Sequence, residues 1–243
     1  MDYINSSNAN QTMEATKPHA VQIWFPFDKN NKYMLAMTYE CFHITQSLMI
    51  NGAAQALINS TMVFFRAQLK CLQFFIKNFD TTLVNGEIMC DGIEESIKLL
   101  IIKYQQVIRC VQEFNNCFQD ILLLDYSVIS LQLATILIDL YQGKQMAFNS
   151  FFFVLISLQL FLMSWNANEI IEESSTGLLN ALYESNWYTQ KNKATKSLIL
   201  MTMMRTSRPL SISIGPFGKL TMNAAISRMK LAYSVLSLLS SKN

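Results

Sequence analysis

Few side chains in this sequence are of types that could carry chemistry, and their spacing argues against most of it. The five cysteines, at positions 41, 71, 90, 110 and 117, are odd in number and contain no CxxC pair, which speaks against a disulfide scaffold or a zinc site. Cys110 and Cys117 stand seven residues apart and so share one helix face, and the expectation is that they are small buried apolar residues. His43 has no Asp or Cys at ligand spacing, so no metal is expected there. Glu169, Glu172 and Glu173 read as a solvated acidic helix end, not a catalytic dyad. Asp125 and Asp139 sit near the two ends of an apolar run, within reach of water, so a proton relay is not expected. No GxSxG, HExxH, Walker A or GxGxxG motif occurs. The expectation is a non-enzyme without a cofactor.

The composition points to lipid. The 243 residues are 51% apolar and only 15% charged, against about 25% charged in an average soluble chain. Mean hydropathy is +0.21. A net charge of +2 is too small for the clustered Lys and Arg that nucleic acid requires. The seven Gly and four Pro rule out collagen-like or Pro/Gly-rich disorder.

Uncharged runs place the spans. A bilayer core about 30 Å thick takes about 20 helical residues. Phe148 to Trp165 carries no charge, and Ile121 to Tyr141 carries only Asp125 and Asp139. Tyr33 to Phe65 has Glu40 alone and is longer than a bilayer needs, so it should tilt or continue beyond the lipid. A fourth run, Leu220 to Leu239, holds Arg228 and Lys230 near its middle. A central charge costs about 2.5–3.5 kcal/mol on insertion scales, so this helix should face protein or a water-filled path. The fold class read from this is all-α, a multi-pass transmembrane bundle whose long helices extend into a cytoplasmic anchor region. The expected divisions are an extracellular segment 1–32, a span with cytoplasmic extension 33–68, a cytoplasmic helical region 69–120, spans 121–141 and 148–165, a cytoplasmic loop and half-helix 166–209, and a last span 219–239. Met1 to Lys32 is polar and has no apolar signal-peptide core.

Lys and Arg set the orientation. Eleven fall in the two long loops, from Arg66 to Arg109 and from Lys191 to Arg208, against five on the opposite side. That puts the long loops in the cytoplasm and both chain ends outside. The sequons at Asn5 and Asn10 then lie outside, whereas the one at Asn59 lies within a span.

Ile93, Ile97, Leu100, Tyr104, Val107, Val111, Phe114, Phe118 and Ile121 follow a strict 4,3 spacing. That is a heptad seam running straight into a span. It could pack as an intrachain hairpin against the end of the first long helix, bundle subunits below the membrane, or both. Further on, Arg205-Thr206-Ser207-Arg208-Pro209 and Gly215-Pro216-Phe217-Gly218 must stop and restart the last helix, leaving a cytoplasmic half-helix, a connector and a membrane half-helix.

Four segments, in order, resemble the C-terminal half of an insect odorant receptor. Trp24-Phe25-Pro26-Phe27-Asp28 with Tyr33 is similar to the element before the fourth span. Leu182 to Tyr188 resembles the "Y-x-S-x-W-Y" element of the third inner loop, and Arg205 to Leu210 the "R-x-x-x-P-L" turn of the seventh helix. Phe217 to Ser234 resembles the closing run, departing at Met222–Ile226, which has no Phe, and at Arg228. The resemblance implies the last four of seven spans, so the chain reads as beginning in the second outer loop: a truncated gene model, an alternative product or a degenerate copy. It implies a plasma-membrane, ligand-gated nonselective cation channel, tetrameric with a co-receptor subunit, that binds volatile odorants and no nucleic acid.

On the last helix Met229, Tyr233, Leu236 and Ser240 form one stripe, and by family position Leu236 is the apolar constriction of a pore. Arg228 and Lys230 flank Met229 on the helical wheel. The odorant pocket implied by the resemblance takes Tyr39, Phe42, His43, Gln46 and Met49 from the fourth span and Asn149, Phe152 and Phe153 from the sixth. Ordinary packing faces account for the same residues. The competing classes are a G-protein-coupled receptor fragment, opposed by an outside C-terminus, and a soluble bundle with a greasy core.

Overall fold

The computed structural model describes residues 32–78, 93–143, 146–189 and 192–240. The elements are α1 (Tyr33–Lys77), α2 (Ile93–Tyr141), α3 (Met146–Glu172), a π-helical turn (Glu173–Gly177), α4 (Leu178–Glu184), a 3-10 turn (Trp187–Thr189), α5 (Lys193–Thr206), a second 3-10 turn (Gly215–Phe217) and α6 (Met222–Ser240). The fold is all-α. Two compact units divide the chain after Leu57. In the first, Ala36 and Glu40 are buried, and Thr38 and Thr45 donate their hydroxyls back to the carbonyls of Met34 and Cys41. That bond satisfies each hydroxyl within its own helix.

Three helices among the described residues, α1, α2 and the α3–α4 run, are long and apolar enough to cross a membrane. Only 17%, 28% and 22% of their apolar windows are buried. Large side chains such as Phe64, Leu124, Leu131, Phe151, Leu158 and Leu162 stand exposed. A water-soluble monomer rarely leaves so much contiguous apolar surface open; lipid covers it at no cost. α6, with Arg228 and Lys230, is not among the three.

In the second unit α2 is the spine, with α3 and α6 packed along it. Its buried seam runs through Ile97, Tyr104, Val111 and Phe114, with Leu100, Val107 and Phe118 half-covered. The heptad then shifts: Ile121 is 52% exposed and its neighbour Leu122 fully buried, followed by Tyr126, Ile129, Leu133 and Ile136. A helix of 3.6 residues per turn drifts about 20° per heptad, so a strict seven-residue repeat leaves the core after a few turns. The end of α1 closes an intrachain hairpin on this seam. Leu69, Leu72 and Ile76 join the same core, and Phe65 meets Phe114 edge-on at 5.6 Å.

Three ion pairs align α1 with the α3–α4 run: Arg66 with Glu169 at 2.8 Å, Lys70 with Glu173 at 3.1 Å and Lys77 with Glu184 at 2.7 Å. Their exposure limits each to about 0–1 kcal/mol, so they set register more than stability. The Gln73 amide donates to both the carbonyl and the carboxylate of Glu173, each at 2.9 Å. It can do so because Gly177 lacks a side chain; a Cβ there would lie 2.5 Å from Gln73 Nε2. Gly177→Ala is therefore expected to lower stability by about 1 kcal/mol, a charge-assisted bond worth roughly 2 outweighing the roughly 1 gained in helix propensity. In a Gln73→Ala background the same change should cost less, since only the Glu173 carboxylate, 2.9 Å from the added Cβ, has still to shift, and thermal unfolding in detergent reads the difference.

Candidate functional site

The stretch between α5 and α6 breaks the helix for identifiable reasons. Asn192 caps the start of α5 by accepting from the Ala194 N–H at 2.9 Å. At the other end Arg205 Nη1 donates to the Arg208 carbonyl, and Pro209 has no N–H with which to continue. The chain then forms a small hairpin. Leu220 N–H donates to the Ile212 carbonyl and Ile214 N–H to that of Gly218, both at 2.8 Å, with Ser213 opposite Lys219. Gly218 turns the tip with φ 92°, a value that side-chain-bearing residues rarely adopt.

Two side chains from other helices complete the hairpin's hydrogen bonding. Asn115 of α2 donates to the Ser211 carbonyl at 2.8 Å and accepts from the Ser213 N–H at 3.0 Å, standing in for a neighbouring strand. Ser174 Oγ, in the π turn, accepts from the Leu210 N–H at 2.9 Å. Leu210, Ile212, Ile214 and Leu220 are buried. The sequence predicts the break but not the clasp: Asn115 and Ser174 are ordinary helix residues until their long-range partners are seen.

α6 leaves the hairpin with Ala225 and Ala232 buried and Met229 half-buried against the core. Tyr233 is 67% exposed. For Leu236 and Ser240 only the helical backbone lies within the described residues. Arg228 does not project freely; its guanidinium sits 4.3 Å from the Phe217 ring centroid and 5.0 Å from that of Tyr126. Cation–π contact of this kind accommodates a charge that lipid would reject. Lys230 is exposed. It belongs to a second stripe that the sequence reading passed over: Asn223, Ser227, Lys230, Ser234 and Ser237, spaced 4,3,4,3 and all exposed. The signal was available as polar residues at helical period in an otherwise apolar segment.

The expected pocket residues fall in both units. In the first, Tyr39, Phe42, His43, Gln46 and Met49 are all exposed, and Tyr39 meets His43 edge-on at 5.5 Å. In the second, Asn149 is buried, Phe153 half-buried and Phe152 exposed. Of the resemblance elements, Trp24 to Asp28 lies outside the described residues, as do the sequons at Asn5 and Asn10. Around Tyr183 to Tyr188, Ser185 is buried and donates to the Leu182 carbonyl, while Trp187 packs half-buried against the core. Below the apolar part of α2, Tyr104 is buried with a hydroxyl that finds no hydrogen-bond partner among the described residues. Burial pushes its pKa above the usual phenol value, partly opposed by Arg205. Among the described residues no three metal-ligating side chains cluster.

Comparison with known proteins decides the family. The family model for the 7tm odorant receptors matches residues 3–233. The chain belongs to the odorant receptor family. It is 29% identical to odorant receptor Or2 of Anopheles gambiae over 57% of its own length and 37% of that protein's. It is 27% identical to odorant receptor 10 of Aedes albopictus, covering 74% of this chain and 48% of that one. The chain thus spans about half or less of the length of these two receptors. The solved structure of the olfactory receptor OR5 from Machilis hrabei in complex with eugenol superposes with a TM-score of 0.75 at 17% identity, over 92% of this chain and 57% of that one. At that identity the likeness shows the fold alone.

The clasp makes a direct prediction for this odorant receptor chain. Asn115→Leu, near in size but unable to bond, should cost about 2–4 kcal/mol in thermal unfolding in detergent, because two backbone groups lose their partner. Asn115→Asp keeps the acceptor for Ser213 and should fall between. Tyr104→Phe should be neutral or stabilising by up to about 1 kcal/mol, since its hydroxyl is buried without return.

Proposed function

We propose that this chain acts as an odorant-binding receptor subunit in the plasma membrane, assembling with an odorant co-receptor into a heterotetrameric, ligand-gated, nonselective cation channel. The observation that carries the reading is the last helix. α6 packs Ala225 and Ala232 into the core, yet exposes one polar face along Asn223, Ser227, Lys230, Ser234 and Ser237. A lipid-facing helix has no use for such a face, whereas a water-filled path does. In this reading Met229, Tyr233, Leu236 and Ser240 line the path, with Leu236 as the apolar constriction that closes it by dewetting, and the polar face flanks them about 100° round the helix.

The proposed topology places the long loops in the cytoplasm and both chain ends outside, following the Lys and Arg asymmetry. The divisions given above, from the outer segment 1–32 to the last span 219–239, belong to the same proposal. The ligand is a small apolar volatile; the proposed contact residues are Tyr39, Phe42, His43, Gln46 and Met49 of α1 and, separately, Asn149 and Phe153 of α3. The Machilis hrabei receptor, solved with eugenol, supports a small aromatic as a first candidate. The family is one of receptors, in keeping with the lack of enzyme motifs.

The test is electrophysiological. The reading frame that carries this chain is co-expressed with a co-receptor and exposed to a broad volatile panel. Odour-evoked currents are expected, and silence across the panel refutes the reading. A C-terminal tag should label on unpermeabilised cells. If the polar face borders the path, Lys230→Glu should raise calcium over sodium permeability on the order of fivefold, the factor that about 1 kcal/mol of Coulomb energy gives at close range in water. An unchanged ratio places Lys230 off the path.

A further inference from the structure

Where the α1 end packs on the first half of α2, a cavity of about 440 Å³ opens to the surface. Phe64 and Phe65 form its upper end, Leu72 and Phe75 lie further along α1, and Leu99 and Val107 face them from α2. Polar lining is sparse and falls to Gln68, Ser96, Lys103 and Gln106. Two cysteines, one on each helix, also line it. Cys71 and Cys110 are both exposed free thiols. The other two described cysteines, Cys41 and Cys117, are free and exposed as well but do not line this cavity.

Size and shape restrict what fits. A helix is about 10 Å across with its side chains, so even a 15 Å length of one needs upwards of roughly 1,000 Å³, more than the groove offers. The volume suits a single flexible apolar chain. The groove also leads somewhere. Its upper rim at Phe64, 55% exposed, is the end of the apolar run, and Arg66 is the first charge below it. Cys71 lies seven residues past Phe64, about 10 Å along the helix axis. A long acyl chain attached at Cys71 or Cys110 is longer than this. It would fill the groove and emerge past Phe64 into lipid.

We propose that Cys71 and Cys110 form a reversible S-acylation site whose long-chain acyl group occupies the groove between α1 and α2. Cysteines beside the membrane on helices that expose an apolar face are the usual substrates of this modification. The acyl donor is a long-chain acyl-coenzyme A. The cysteine sulfur attacks the thioester carbonyl, its bond to the coenzyme sulfur breaks, a new thioester forms on Cys71 or Cys110, and the thiol proton leaves on the coenzyme thiol. No oxidant or reductant takes part. The chain then bridges α1, α2 and the bilayer, and hydrolysis of the thioester frees it. This rests on the cytoplasmic placement of 69–120 proposed above, since acyl-coenzyme A is a cytoplasmic reagent.

The chain is expressed in insect cells fed an alkynyl fatty acid, purified in detergent and conjugated to a fluorophore. A label removed by neutral hydroxylamine is expected, retained in Cys117→Ser and Cys41→Ser and reduced to background in the Cys71→Ser/Cys110→Ser double variant. Peptide mass mapping of the unaltered protein keeps the test independent of variant folding, and an acyl adduct is expected on Cys71, Cys110 or both. A label that persists in the double variant, or both peptides found only as free thiols, overturns the site. A membrane-impermeant maleimide separates the two failures. Free Cys71 and Cys110 that react only after permeabilisation refute acylation and leave the topology standing. Reaction on intact cells refutes the topology, and the acylation site with it.

Discussion

Every backbone amide that leaves a helix near lipid has to find another partner, and the segment between Arg208 and Thr221 is where this chain meets that demand. Leu210, Ile212, Ile214 and Leu220 are buried there, and an unpaired buried backbone group costs several kcal/mol. The chain answers with a hairpin that pairs its own strands and borrows two side chains. Asn115 covers one edge and Ser174 the entry at Leu210. The positions of α2, of the π turn and of α6 are tied together through those bonds. The break that lets the last helix take a separate direction is thus fastened to the spine of the fold.

That fastening bears on how a signal could reach α6. The hairpin carries Phe217, and Phe217 with Tyr126 of α2 holds the Arg228 guanidinium. A rotation of α6 about its axis has to draw Arg228 out of two aromatic rings. A movement of α2 pulls on the same side chain and on Asn115 together. Energetic coupling of this kind needs a chain of packed groups with discrete arrangements, and here each contact is a named pair.

Much of the architecture was legible because it follows from period and charge. Three of the apolar runs fall within α1, α2 and α3, the fourth begins at Leu220 in the hairpin and continues along α6, and the Pro- and Gly-bearing segments fall at the connector. The heptad from Ile97 to Phe114 packs as an intrachain hairpin, one of the two arrangements that its spacing allowed. Other features needed the third dimension. The seam's move from Ile121 to Leu122 arises from accumulated helical drift, invisible to a template with a fixed repeat. Asn115 and Ser174 carry no local sign of their role, because their partners are 36 to 98 residues away. Arg228 stood out as an anomaly in an apolar helix, but its accommodation depended on two rings from different elements. The polar face of α6 was readable from Asn223 to Ser237 and was passed over in favour of the neighbouring stripe at Met229.

The ladder between α1 and the α3–α4 run has a mechanical consequence. All its cations are on one helix and all its anions on the other, and the upper two of each stand four residues apart: Arg66 and Lys70 against Glu169 and Glu173. Both helices run the same way, so a slide by one turn, about 5.4 Å, brings a cation back opposite a carboxylate, whereas half a turn leaves both rungs empty. At about 0–1 kcal/mol a rung, the spacing favours whole-turn offsets over intermediate ones without locking them, a soft vernier between two parallel rods.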